Sequence, residues 1–489
     1  MMNQKNWQKC IRKMGKKLPI FLLIFILLYM IGSLICYPLL TKKHVLKQKN
    51  KATEQAAKET IDRSAAVRCL DDNTQALVYR LALIESAQRE LIMTTFDMSD
   101  GESGQDLMAA LLQAADRGVR IRLMVDGINA WLKLERSDLF GAFSTHPNIE
   151  IRFYNPIRLT KLWKLNYRMH DKYLIADDTA YILGGRNSNN LFLGAYRDTY
   201  NIDRDLYVLE EAEKNASDAM QEKKQNSLQD IKAYFEEIWA QPDQKIFRKK
   251  ETAKTEEGLA LLRARYKELQ TAYPEAFSDT EALLTQDLIR VESIEFLHNP
   301  LYADEKVPLV YQRICREMEQ GENILIQTPY IICDKGMYQD LTALCNAGKQ
   351  INIITNAVES GANPWGCTDY LNERKHILET GAGVYACMAG QSLHTKTVLI
   401  DDETCIVGSY NLDLRSTYLD TELMLLVKSK ELNKQLREQA VTYQEKSIYE
   451  KAGELSQNGS LYEKKEMSGT QKIIYSILRI LIRPIREVL

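Results

Sequence analysis

Histidine, lysine and asparagine recur in one fixed frame at two places in the chain. Residues 394–411 read His-Thr-Lys-Thr-Val-Leu-Ile-Asp-Asp-Glu-Thr-Cys-Ile-Val-Gly-Ser-Tyr-Asn, and residues 170–187 read His-Asp-Lys-Tyr-Leu-Ile-Ala-Asp-Asp-Thr-Ala-Tyr-Ile-Leu-Gly-Gly-Arg-Asn. The chain has only six histidines, and two of them open this frame. Side chains two apart in a strand share a face, so His170 projects with Lys172 and His394 with Lys396. Asn187, Ser409 and Asn411 can add hydrogen bonds, and Gly184, Gly185 and Gly408 let backbone approach closely. Two imidazoles, two ammonium groups and neutral donors around one point suit a phosphodiester. One histidine attacks phosphorus while the other protonates the leaving oxygen. Lys172 and Lys396 neutralise the equatorial oxygens, a task often given to Mg2+, so no metal and no cofactor is expected. A carboxylate behind the attacking imidazole sets its tautomer. Glu422 and Asp205 are the candidates, each on the strand downstream of its own motif. Asp177 and Asp401 start the hairpin turns and are expected to be structural. A single His-x-Lys means nothing, but two copies agreeing at further positions make coincidence remote.

The elements that must position these residues follow an α/β pattern. At 489 residues the chain is too long for one ordinary core, and two similar domains are expected. It is 45% hydrophobic with a formal charge of −2, so anions must be met by local clusters rather than by a global basic field. The nine cysteines show no CxxC spacing, which argues against a disulfide framework and a zinc site. Strands are expected at 90–96, 119–126, 149–154, 172–176, 181–183 and 204–209, with helices over 76–87, 103–117 and 228–239. The order repeats with strands at 291–297, 323–327, 351–355, 397–400, 404–407 and 422–427, and helices over 337–347 and 368–380. The division is a first domain over 64–245, a helical connector over 246–290, a second domain over 291–447 and a tail over 448–489.

The chain ends point to a membrane. A basic tail, 1–17, precedes an uncharged run, 18–40, which as a helix spans roughly 30 Å. It is too long for a signal-peptide core and has no small-x-small cleavage site, so it reads as one uncleaved transmembrane helix followed by a polar stalk, 41–63. Basic residues flank it on both sides, and the side carrying the catalytic body stays open. Just before His170, the cations Arg158, Lys161, Lys164 and Arg168 interleave with Trp163 and aliphatic residues, with no acid among them. That mix suits anionic lipid headgroups, although it also suits single-stranded nucleic acid. Residues 470–489 place Ile474, Ile477, Leu478, Leu481, Ile485 and Val488 on one helical face and basic residues on the other. This helix either lies in a membrane surface or docks on the body.

Both motif copies fit the HxKxxxxD…GxxN signature, and the chain is identified as resembling the phospholipase D superfamily over roughly residues 64–447. Arg168-Met169-His170, Gly184-Gly185-Arg186-Asn187, the run 408–416 and Leu419-Asp420-Thr421-Glu422 resemble its bacterial cardiolipin synthase branch. The resemblance implies two pseudo-symmetric α-β-α domains with one shared active site and a phosphohistidine intermediate, with His170 as nucleophile and His394 as acid/base. Gly185 departs from the serine common in relatives. The expected reaction is transfer of a phosphatidyl group between phosphatidylglycerols to give cardiolipin, at a bacterial cell membrane crossed once, with no nucleic acid partner. A phospholipase D-type hydrolase, a tethered nuclease and an inactive membrane-binding protein are the rivals.

Overall fold

The structure, a computed structural model, describes residues 23–46, 64–210, 226–302, 306–360 and 362–489. The basic tail, the first residues of the apolar run and residues 47–63 of the stalk lie outside them.

Two mixed sheets share one plan. In spatial order the first runs Ile289–Val291, Ala65–Leu70, Asp205–Glu210, Ala180–Gly184, Tyr173–Ala176, Glu90–Thr95, Arg120–Asp126, Ile149–Tyr154 and Lys245–Phe247. The second runs Ser293–His298, Leu423–Lys428, Thr404–Gly408, Thr397–Ile400, Asn323–Gln327, Gln350–Asn356, Gly383–Cys387, Ser447–Glu450 and Gln457–Asn458. Each sheet holds a parallel trio, 90–95 with 120–126 and 149–154, and 323–327 with 350–356 and 383–387. Helices Glu102–Asp116 and Lys335–Asn346 connect the first two strands of each trio. They stop where Gly118 (φ 98) and Gly348 (φ 90) take the left-handed conformation that glycine adopts without steric cost.

The connector differs from expectation. The helix Ala253–Ala272 is present, but its Leu262, Tyr266 and Leu269 are buried in the first domain's core. The short strands at 245–247 and 289–291 on either side of it become the two edges of the first sheet. This segment is therefore a covering layer of the first domain.

The two sheets bury one common core between them. It joins Ile92, Ile175, Leu183 and Val208 of the first to Leu399, Val407, Leu425 and Val427 of the second, under helices 227–239 and 430–445. Short backbone ladders cross between the halves. Leu393 pairs with Ile202, and Met169 pairs with Thr421. In each ladder the residue before a motif histidine lies beside the other half's segment.

The helix Leu23–Lys43 is long and apolar enough to cross a membrane by length and composition, and it includes a π-helical turn at Gly32–Cys36. One flank rests on the body. Tyr29 donates to Leu159 O (3.0 Å), Asn166 donates to Leu34 O (2.8 Å), and the rings of Tyr37 and Trp163 lie 6.3 Å apart.

Candidate active site

Each motif histidine sits at the start of a strand–turn–strand hairpin, 173–184 or 397–408. At the turns, Asp177 (φ 51) and Asp401 (φ 48) adopt left-handed backbone, which Asp tolerates better than most residues. Their carboxylates accept from the first backbone N–H groups of the neighbouring strand. Asp177 takes those of Gln88, Arg89 and Glu90, each at 2.8 Å, and Asp401 those of Glu322 (2.9 Å) and Asn323 (2.8 Å). They hold the hairpins and do not reach the chemistry.

The cross-domain ladders bring the histidines to carboxylates of the opposite half. His170 Nδ1 lies 2.9 Å from Glu422 Oε1. His394 Nδ1 lies 2.6 Å from Asp203 Oδ2. Sequence reasoning finds Glu422 but takes Asp205 where Asp203 belongs. Asp205 is wholly buried away from the histidines, 2.9 Å from Arg80 and 3.3 Å from Arg186. The strand register explains the difference. Gly184 faces Asp205 as Gly408 faces Met424, so the residue equivalent to Glu422 is two positions before Asp205. The segment between motif asparagine and carboxylate is longer in the first half, so the spacing does not carry over.

The two carboxylates are held differently. Glu422 accepts from Ser409 Oγ (2.5 Å) and Ser416 Oγ (2.6 Å). The Ser409 hydroxyl thus serves the carboxylate and is not a free donor for a substrate. In the first half Gly185 occupies the position of Ser409, and a Cβ there would stand 2.2 Å from Asp203 Oδ1. Asp203 instead accepts from the backbone N–H of Arg204 (2.8 Å) and pairs with Lys396 Nζ (3.5 Å).

Lys172 and Lys396 each donate to the backbone carbonyl of their own motif histidine. Both are buried, and both histidines feel the ammonium charges of both halves, which puts the four groups in one site. Burial pushes the Lys172 ammonium down to about 7 and lowers Lys396 as well. It also lowers His170, with help from Lys172, and His394 to about 4. Burial raises Glu422 to about 8. For Asp203, burial pulls upward, but Lys396 and His394 outweigh it and hold the carboxyl below its usual range. Asn187 and Asn411 each carry a buried side-chain oxygen without a partner, so each amide can turn a face toward a bound group. Phe96 meets the edge of His170 and Phe192 that of His394, each at 5.0 Å and 72°. No repeat marks these two rings, which come from unrelated loops.

The basic stretch before His170 is arranged otherwise than expected. Arg168 is buried, with Nε 2.9 Å from Asp126 Oδ2 and further bonds to Asn155 O; it braces the strand and is closed to headgroups. Arg158, Lys161 and Lys164 converge on the single carboxylate of Asp243. Trp163 packs against the apolar helix through Tyr37.

The sequence model of the "cardiolipin synthase, PLD-like domain" family matches residues 81–239 and 314–442. The chain belongs to this family. As a cardiolipin synthase-like member of the phospholipase D superfamily it is a phosphatidyltransferase. It is 26% identical over 414 residues to cardiolipin synthase C of Escherichia coli (strain K12), covering 74% of this chain and 81% of that protein. It is 25% identical over 360 residues to the major cardiolipin synthase of Bacillus subtilis (strain 168), covering 73% and 64%. An uncharacterised Helicobacter pylori protein is 25% identical over 422 residues, covering 78% and 79%. The fold matches the crystal structure of phosphatidylserine synthase from Haemophilus influenzae Rd KW20, with a TM-score of 0.61 at 16% identity over 90% of this chain and 100% of that one. Two pseudo-symmetric α/β halves are thus the fold of this cardiolipin synthase-like chain.

Proposed function

We propose that the chain condenses two phosphatidylglycerols into cardiolipin, held at a bacterial membrane by the helix Leu23–Lys43. His170 Nε2 attacks phosphorus, and the bond from phosphorus to the glycerol oxygen breaks. His394 gives that oxygen its proton, and glycerol leaves. The phosphatidyl group is then held on His170. His394 takes the proton of a second phosphatidylglycerol's hydroxyl, whose oxygen attacks phosphorus and releases His170. Lys172 and Lys396 offset the charge on the phosphoryl oxygens, and Asn187 and Asn411 offer amide donors.

The observation that carries this reading is the crossed pairing of His170 with Glu422 and His394 with Asp203. Each pairing occupies Nδ1 and leaves Nε2 for chemistry. The two pairs also differ in a way that favours the assignment of roles. Asp203, kept charged, favours proton uptake at His394 against the burial and the Lys396 charge that lower it, the direction that an acid/base residue needs. Burial and the Lys172 charge keep His170 neutral, as a nucleophile requires, and its Nδ1 faces Glu422, which two hydroxyls hold in place.

The test is incubation of detergent-purified protein with labelled phosphatidylglycerol, without added metal, followed by lipid separation. Cardiolipin and free glycerol are expected. Phosphatidic acid alone would make the enzyme a hydrolase, and cleavage of single-stranded DNA without lipid turnover would make it a nuclease.

A further inference from the structure

The helix Gly469–Leu481 carries two apolar stripes where the sequence suggests one. Tyr475 and Ile482 are buried, and Leu478 packs with Tyr475 on the second domain. Arg479 Nε donates to Asn372 Oδ1 (2.9 Å). Beyond the helix, Arg486 pairs with Asp369 (2.7 Å), and Arg415 donates to the carbonyls of Val488 (3.1 Å) and Leu489 (3.0 Å). This segment is docked on the body. Yet Ile473, Ile474, Ile477, Ile480 and Leu481 are 44% to 71% exposed. At about 100° per residue they form a strip about 120° wide on another side of the same helix.

We propose that this second strip is an interfacial membrane contact for a surface of anionic phospholipid. Three features favour a bilayer over another protein. The strip is bordered by Lys472, Arg479 and Arg483, and no acidic residue occurs between Glu466 and Glu487, the charge pattern that anionic headgroups attract. The strip is aliphatic and continuous, as an acyl layer accepts. The segment is also tied to the apolar helix: Lys42 Nζ contacts Glu487 (2.6 Å) and Asp334 (2.9 Å), and Tyr37 packs in the same cluster as Leu478, Val488 and Leu489. A bilayer that receives Leu23–Lys43 therefore lies within reach of the strip. The contact would fix the tilt of the body and, through Arg415 and its partner Asp420 (2.7 Å), steady the flank of the second motif. This inference rests on the membrane reading above.

The test uses the full chain reconstituted in phosphatidylglycerol-containing vesicles, with Ile477→Trp or Ile480→Trp compared against the parent's five tryptophans. Both positions are exposed, so the fold tolerates the larger ring. Lipids brominated high on the acyl chains are expected to remove most of the added emission, as for a helix about 5–10 Å into the headgroup boundary, with less loss for Ser476→Trp on the polar side. Equal loss at 476 and 477, or no loss at 477, overturns the proposal. Blue-shifted emission without quenching, with a chain that cross-links to itself, assigns the strip to a second copy instead. Phosphatidyl transfer is measured in the same vesicles. An active but unquenched protein sinks only this inference; a quenched protein that cannot transfer phosphatidyl groups sinks only the activity.

Discussion

At the scale of single residues, Asp203 and Asp205 stand two positions apart and do different work. Asp203→Asn removes the charge behind His394 and is expected to lower phosphatidyl transfer by roughly 10²–10⁴-fold. Asp205→Asn leaves Arg80 and Arg186 buried beside a neutral group, at a cost of about 3–5 kcal/mol, read as a lowered denaturation midpoint. The reverse pattern would restore Asp205 as the histidine's partner. Gly185→Ser is expected to cut activity despite resembling Ser409, because its Cβ meets Asp203 within 2.2 Å and must displace that carboxylate. Normal turnover in this variant would show that Asp203 has room to move. The site's lysines also predict a pH dependence. Lys172, brought down to about 7 by burial, carries its charge below that pH and loses it above. Since the charged form meets the phosphate, kcat/KM falls as pH rises through about 7. A profile flat through that range contradicts the role. Much of this was legible in the sequence. His170, Lys172, Asn187 and their counterparts stand out because they recur. Asp203 does not, because its equivalence to Glu422 is set by strand register across a loop of unequal length. Ser409 is expected from the sequence to add a hydrogen bond and does so, but its acceptor, Glu422, is visible only in the fold.

At the scale of elements, the motif hairpins and the parallel strands were readable from apolar runs ended by glycine. The edge strands 245–247 and 289–291 were not, since three residues cannot display alternation and their pairing is set by distant partners. The loop 156–169 shows a similar limit. Its basic residues suggest a free headgroup surface, but a distant carboxylate gathers three of them. Asp243, shifted down to about 2 by Lys161 and Lys164, is the centre of that loop. Asp243→Asn leaves three like charges facing one another, and faster tryptic cleavage after Lys161 and Lys164 in detergent is expected. Unchanged cleavage would show that the contacts with the apolar helix, through Tyr29, Leu34 and Tyr37, hold the loop without Asp243.

At the scale of the whole molecule, two halves of one plan face each other so that neither completes a site alone. Each supplies a histidine, a lysine and an asparagine, and each lends its carboxylate across the interface. Symmetry sets the position of the groups, and the proposed mechanism gives the two histidines unlike roles, His170 as nucleophile and His394 as acid and base. That division is the central claim, and trapping the covalent intermediate tests it most directly. Protein incubated briefly with phosphorus-labelled phosphatidylglycerol is denatured under conditions that preserve phosphohistidine, and the bound label is counted. The parent should carry label and His170→Ala should carry none; label on His170→Ala would contradict the assignment.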